Sequence, residues 1–260
     1  MTIIVKNEVD FAEESFYDQV LLKTEYMQRY REEYYYYREK GFYLNPYRNY
    51  LSIINYFSEI NEYREQHAAS FAKRVKAQQK NWRECESVVS EVIVYQSYLR
   101  PMNEGLVRSI SFETDECDVI VERCDGSKYY LEVFCIMPDF PTDGLIDIRT
   151  HTQEAFSSVR QKLLNKVRKQ GQFSKDRENF AVIELNNRSI AHDFTILSSL
   201  SDGYKINIEL QTMKSVSEGY DWNKSVFELP ETKFLKGIIW FHLGAYQYRK
   251  TLLNAYYKKQ

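Results

Sequence analysis

The hydrophobic period of the chain changes at Pro101. Before it, apolar residues recur at helical spacing; after it, short β-branched runs follow one another, separated by turn residues. Strands that then give way to helix, strand and helix again must bury a sheet beneath helices, so the expected class is α/β, a mixed sheet flanked by helices with an N-terminal helical extension.

In the first part, Phe16, Val20, Thr24, Met27, Arg31 and Tyr34 lie along one helical row within residues 10–40, and Gly41 is a natural stop. Asn45-Pro46 reads as a cap followed by proline at the first helical position, with Tyr50, Leu51, Ile54, Phe57 and Ile60 on the apolar face that follows. A third helix is expected from Ala68 to Leu99, basic in its first half (Lys73, Arg74, Lys76, Lys80, Arg83) and apolar in its second. The division expected is a Tyr-rich extension at 1–82, with Val20, Met27, Leu51, Ile54 and Phe57 buried, and an α/β domain at 83–260. The extension is also the surface through which a homo-oligomer would form.

After Pro101, "RSISFE" and "CDVIVERC" read as strands, and Asp125-Gly126 turns the chain back into "SKYYLEVFCI". Residues 151–170 return to helix, "FAVIEL" has the continuous apolar run of a strand covered on both faces, and "IAHDFTILSSL" reads as helix. "LKGIIWFHL" and "YRKTLLNAY" close the chain as strands.

A net charge of −2 is not that of a nucleic-acid coat protein, although it leaves room for an enzyme that grips nucleic acid locally. Cys85, Cys117, Cys124 and Cys135 form no CxxC pair and the four histidines complete no zinc pattern. With no secretory start and no run of about 18 apolar residues, the expectation is a cytoplasmic protein without a membrane partner.

The chemistry points to the hairpin. Asp118 opens one strand and Glu132 lies in the next, so a suitable register sets the two carboxylates side by side among Val, Ile, Leu and Phe. Such a pair is costly unless a cation compensates it, and Mg²⁺ needs only one or two protein carboxylates. The competing reading makes Asp118 a strand-start residue and turns Glu132 to solvent.

A helix bearing a glutamate, a strand bearing Asp, a turn, a strand bearing Glu and a basic helix together resemble the PD-(D/E)XK nuclease superfamily, which has the restriction-endonuclease-like fold. The resemblance covers residues 83–256 and implies a metal-dependent nuclease cleaving phosphodiester bonds, DNA before RNA, with Mg²⁺ or Mn²⁺. It assigns Asp118, Glu132 and the carbonyl of Val133 to the metal, Glu91 (or, failing it, Glu86) to an assisting role, and Lys162, Lys166 and Lys169 to phosphate contact. One position departs: Phe134 stands where the family has its lysine. Lys128, of the same strand parity as Glu132, or Lys162, or Lys166 reaching in from the following helix, would then replace it. If none reaches, the resemblance implies an inactive nuclease-like fold that binds nucleic acid or protein. The tyrosine-rich helices also admit a third reading, a structural assembly protein.

Overall fold

The computed structural model describes residues 16–114, 117–137, 148–168, 173, 176–187 and 190–257. Its helices are α1 (Phe16–Leu21), α2 (Glu25–Glu39), α3 (Tyr50–Gln78), α4 (Trp82–Ser97), α5 (Leu99–Asn103), α6 (Ile148–Arg168) and α7 (Asp193–Leu200). The strands are β1 (Val107–Thr114), β2 (Cys117–Arg123), β3 (Lys128–Ile136), β4 (Glu178–Leu185), β5 (Tyr204–Glu209), β6 (Lys214–Tyr220), β7 (Leu235–His242) and β8 (Lys250–Leu253). The main sheet has the order β1-β2-β3-β4-β7-β8. β1, β2 and β3 form an antiparallel meander, β3, β4 and β7 run parallel, and β8 returns antiparallel to β7. The class is therefore mixed α/β, as the period change at Pro101 implies.

Strand alternation sorts the side chains onto two faces. Leu131, Val133, Phe180, Val182, Ile239 and Phe241 join the core formed with the N-terminal helices. Phe134, Ile136, Ala181, Ile183, Ile238 and Trp240 join a second core with Val159, Leu163 and Val167 of α6 and Ile196 of α7. β4 lies in the middle of the sheet and is covered on both faces, as its apolar run requires.

The N-terminal region is helical, with boundaries that capping chemistry moves. Thr24 caps α2, accepting from the Met27 amide at 3.2 Å, so the row beginning at Phe16 breaks into two helices. Pro46 does not open α3: an Asn49–Ser52 capping box starts it at Tyr50. Asn45 is engaged elsewhere, donating to the Leu243 carbonyl at 2.9 Å and accepting from the Tyr47 amide at 3.0 Å. α3 continues through a kink at Arg64 to Gln78, and the break before α4 falls at 79–81 instead of in the sixties. Met27, Ile54 and Phe57 are buried as expected, whereas Val20 and Leu51 are only half-buried at the margin of the core.

One polar group is shared by both halves. Arg48 lies beneath α4, where its guanidinium binds the Glu86 carboxylate, with Nε to Oε2 at 2.7 Å, and reaches Glu184 in β4 at 2.6 Å. Tyr26 and Tyr30 of α2 donate to Glu86 Oε1 at 3.1 and 2.8 Å, Asn186 donates to its Oε2 at 2.6 Å, and Ser90 donates to Glu184. Burial alone would push the arginine's pKa down, but Glu184 and Glu86 outweigh that and raise it. Glu86, assigned by sequence as a fallback site residue, is thus part of a structural network.

Removing one partner leaves a buried charge without compensation. Glu86→Ala should cost about 3–5 kcal/mol in urea unfolding, whereas Glu104→Ala, which breaks an exposed i,i+4 pair with Arg100, should leave the transition unmoved. A Glu86→Ala variant as stable as wild type would contradict this role. Among the described residues no helix is long and apolar enough to cross a membrane.

Candidate functional site

The turn Asp125-Gly126 sets the geometry. Gly126 adopts φ +81°, and Asp125 Oδ1 accepts from the Ser127 amide at 2.9 Å, which closes a tight connection between β2 and β3. The resulting register pairs Val119 with Leu131 and Glu122 with Lys128, so the next step along the hairpin brings Asp118 opposite Glu132. Asp118 Oδ2 accepts the Val133 amide proton at 2.8 Å, a side chain taking over where the backbone ladder ends. The Val133 backbone group seen at the site is this N–H.

Glu132 is buried, and its Oε1 accepts from Lys166 Nζ at 2.6 Å. The lysine comes from α6, whose apolar row Val159, Leu163 and Val167 packs on the sheet and carries Lys166 to its edge. Phe134 shares the strand parity of Glu132 but is sunk in the α6–α7 core. An aromatic ring fills that depth, and the ammonium arrives from the helix.

On the other side, Glu91 of α4 is buried and held in a two-pronged contact by Arg74 of α3, with Nη1 to Oε2 at 2.5 Å and Nη2 to Oε1 at 3.0 Å. Arg74, Gln78, Ser87, Glu91, Asp118 and Lys166 line one open cleft of about 250 Å³. Burial and the charge of Asp118 push the Glu91 acid up to about 8, with Arg74 and Lys166 acting against them. Burial would lower the Lys166 ammonium, but Glu132, Asp118 and Glu91 outweigh it and raise its pKa. Three carboxylates thus act on one ammonium.

Glu91, Asp118, Glu132 and Lys166 lie close enough to act on one another's charge. Lys128 does not join them: it lies exposed at the start of β3, opposite Glu122. Its parity matches that of Glu132, but four residues of strand separate them by roughly 13 Å. Lys162 is also directed elsewhere, donating to the Cys135 carbonyl at 3.2 Å, and burial lowers its pKa. Lys169 lies outside the described residues. Arg74 was the residue sequence reasoning missed, because it sits within a basic run that reads as a solvated face. Its spacing from buried Phe71 and its place beside buried Val75 are the signals that it borders the packed side of α3.

Among the described residues no three His, Cys, Asp or Glu side chains form a metal-ligand group. Two carboxylates completed by water nevertheless suit a hard cation such as Mg²⁺, and Asp118 and Glu132 supply carboxylate oxygens on neighbouring strands. No family model, curated protein or solved structure matches the chain.

The raised Glu91 acid has a pH signature. The folded chain keeps this proton to higher pH than the unfolded chain, so the stability it contributes is present below the ordinary carboxylate range and lost as pH rises toward about 8. The stability of Glu91→Gln relative to wild type should therefore climb between about pH 5 and about pH 8, by at most about 1.4 kcal/mol per pH unit. A difference independent of pH would contradict the assignment.

Proposed function

We propose that the chain is a nuclease of the PD-(D/E)XK type, cleaving phosphodiester bonds in DNA with Mg²⁺ or Mn²⁺, and that Lys166 does the work of the missing motif lysine. The observation that carries this reading is the Lys166 ammonium on Glu132, 2.6 Å away, at the face where Phe134 leaves no charge.

Asp118 and Glu132 would hold the cation. When bound, it would supply charge stabilisation at phosphorus and a more acidic water. The protein's own groups divide the remaining tasks. Lys166 offers a positive charge beside the carboxylates and can donate to a non-bridging phosphate oxygen as negative charge develops there. Arg74 orients Glu91 and gives the cleft mouth a second positive group, with its side chain 28% exposed. Gln78 and Ser87 add neutral hydrogen-bonding groups to the lining. Glu91, held by Arg74 on both of its oxygens, would add a third acidic group beside the cation seat.

A second reading has its own support. Lys166 is paired with Glu132 and Arg74 with Glu91, so each of these acids already has a protein cation. A nuclease-like fold that binds nucleic acid without cutting it would have such pairings.

Mutagenesis separates the two. Lys166→Ala should lower plasmid cleavage on the order of 10²-fold or more, the scale of losing one transition-state donor, while Lys162→Ala and Lys128→Ala stay near wild type. Mn²⁺ binding by calorimetry should survive in Lys166→Ala and tighten, because a competing cation has gone, and should be lost in Asp118→Asn. Cleavage unaffected by Lys166→Ala would overturn its role. Mn²⁺ binding and cleavage both missing in the wild type would leave the binding module.

A further inference from the structure

The hairpin β5–β6 stands apart from the main sheet as a separate two-stranded ribbon. Every residue of β5 is exposed, and Ile206, Ile208 and Leu210 are 53%, 50% and 85% exposed, with Met213 and Val216 open as well. At its base Tyr204 and Tyr220 pack edge-on at 5.1 Å and both meet Phe194 of α7, which fastens the base of the arm to that helix. An isolated two-stranded ribbon is marginal in water, and a row of exposed aliphatic side chains on one marks a surface that is covered in use.

The two edges differ. In β6 the register slips between Ser217 and Ser215, leaving Val216 as an extra residue, and such a bulge spoils the edge as a template. β5 has no extra residue, and its outer edge pairs with no described strand. Its sequence, Tyr204-Lys-Ile-Asn-Ile-Glu-Leu210, is complementary to itself when run antiparallel about Asn207. Lys205 then faces Glu209 of the second copy, Ile206 faces Ile208, and Tyr204 faces Leu210. Centring the pair two residues either way would set lysine against lysine or glutamate against glutamate, so charge selects one register.

We infer that β5 is a self-association edge, through which two copies of this chain join their arms into a four-stranded sheet ordered β6-β5-β5-β6. The apolar side chains of both arms then form one cross-strand ladder, and the backbone groups along β5 gain partners. Two existing contacts are compatible with it. Asn207 Nδ2 donates to Ser217 Oγ at 2.8 Å, toward β6 and away from the open edge. Lys205 pairs with Asp221 and with Asp202, contacts of an exposed side chain that cost little to share. The tyrosine-rich helices are the weaker candidate for this role, because Tyr26 and Tyr30 spend their rings on Trp82, at 4.8 and 5.2 Å, and Tyr34 spends its ring on Tyr50. This inference does not depend on the nuclease reading.

Sedimentation equilibrium of the full chain should show a monomer–dimer equilibrium with Kd on the order of micromolar, as a small interface gives. Ile208→Asp should weaken it at least about tenfold with an unchanged far-UV spectrum and melting temperature. Asn207→Cys, placed on the axis and made in a Cys124→Ser background, should form an interchain disulfide under mild oxidation, since opposed strand residues lie within bridging distance. Ser217→Cys in the same background should not. A monomer at every concentration overturns the inference. So does a dimer indifferent to Ile208→Asp, or cross-linking through Ser217→Cys instead of Asn207→Cys. A monomer whose Ile208→Asp variant loses DNA retention would also overturn it and assign the arm to nucleic acid.

Discussion

Arg48 is the charge on which the packing of this molecule turns. It is buried with Glu86 and Glu184, between the N-terminal helices and the central strand. Charges taken out of water that far must be matched almost completely, and the match draws on α2, α4, β4 and the loop after β4. The helices before Pro101 are therefore no appendage to the sheet; they share one core with it. The fastening also fixes α4. Glu91 lies five residues beyond Glu86, roughly 140° further around the helix, so holding Glu86 on Arg48 turns Glu91 toward the cleft. A change at Arg48 would be felt at the site without touching it.

At the cleft the positive charge beside Glu132 comes from a helix, not from the strand that bears the acid. A lysine two residues after Glu132 would have to extend past the α6–α7 core; a phenylalanine there adds apolar contact instead. α6 crosses the same strand, and one turn separates Lys162, which caps the Cys135 carbonyl, from Lys166, which meets the acid. With Glu84, which also lines the cleft, four carboxylates stand against the two cations Lys166 and Arg74, so the site is richer in acid than in base.

The parts of this arrangement legible in the sequence are those governed by short-range rules. Asp125-Gly126 and the period-two runs on either side specify the hairpin, and the hairpin brings Asp118 and Glu132 together. The parts that were not legible depend on three-dimensional reach. Lys128 and Glu132 share a parity but not a neighbourhood, and no local pattern says which lysine of the row Lys162–Lys166 arrives at the acid. Arg74 was hidden because a basic run looks the same whether its residues face water or a buried glutamate. The start of α3 moved because Asn49 and Ser52 cap each other, while Asn45, the better sequence match, was drawn to Leu243 across the fold. The arm β5–β6 was missed because its strands lack the buried face that makes strands conspicuous; its apolar residues alternate yet remain exposed.

In the proposed function Asp118 and Glu132 form a cation seat that Lys166 shares. Anomalous scattering from a crystal soaked in Mn²⁺ tests this most directly. One peak is expected within coordination distance of both carboxylates, with the Lys166 ammonium displaced from Glu132 toward the open cleft. Manganese bound elsewhere, or none bound while Lys166 stays on Glu132, would contradict it.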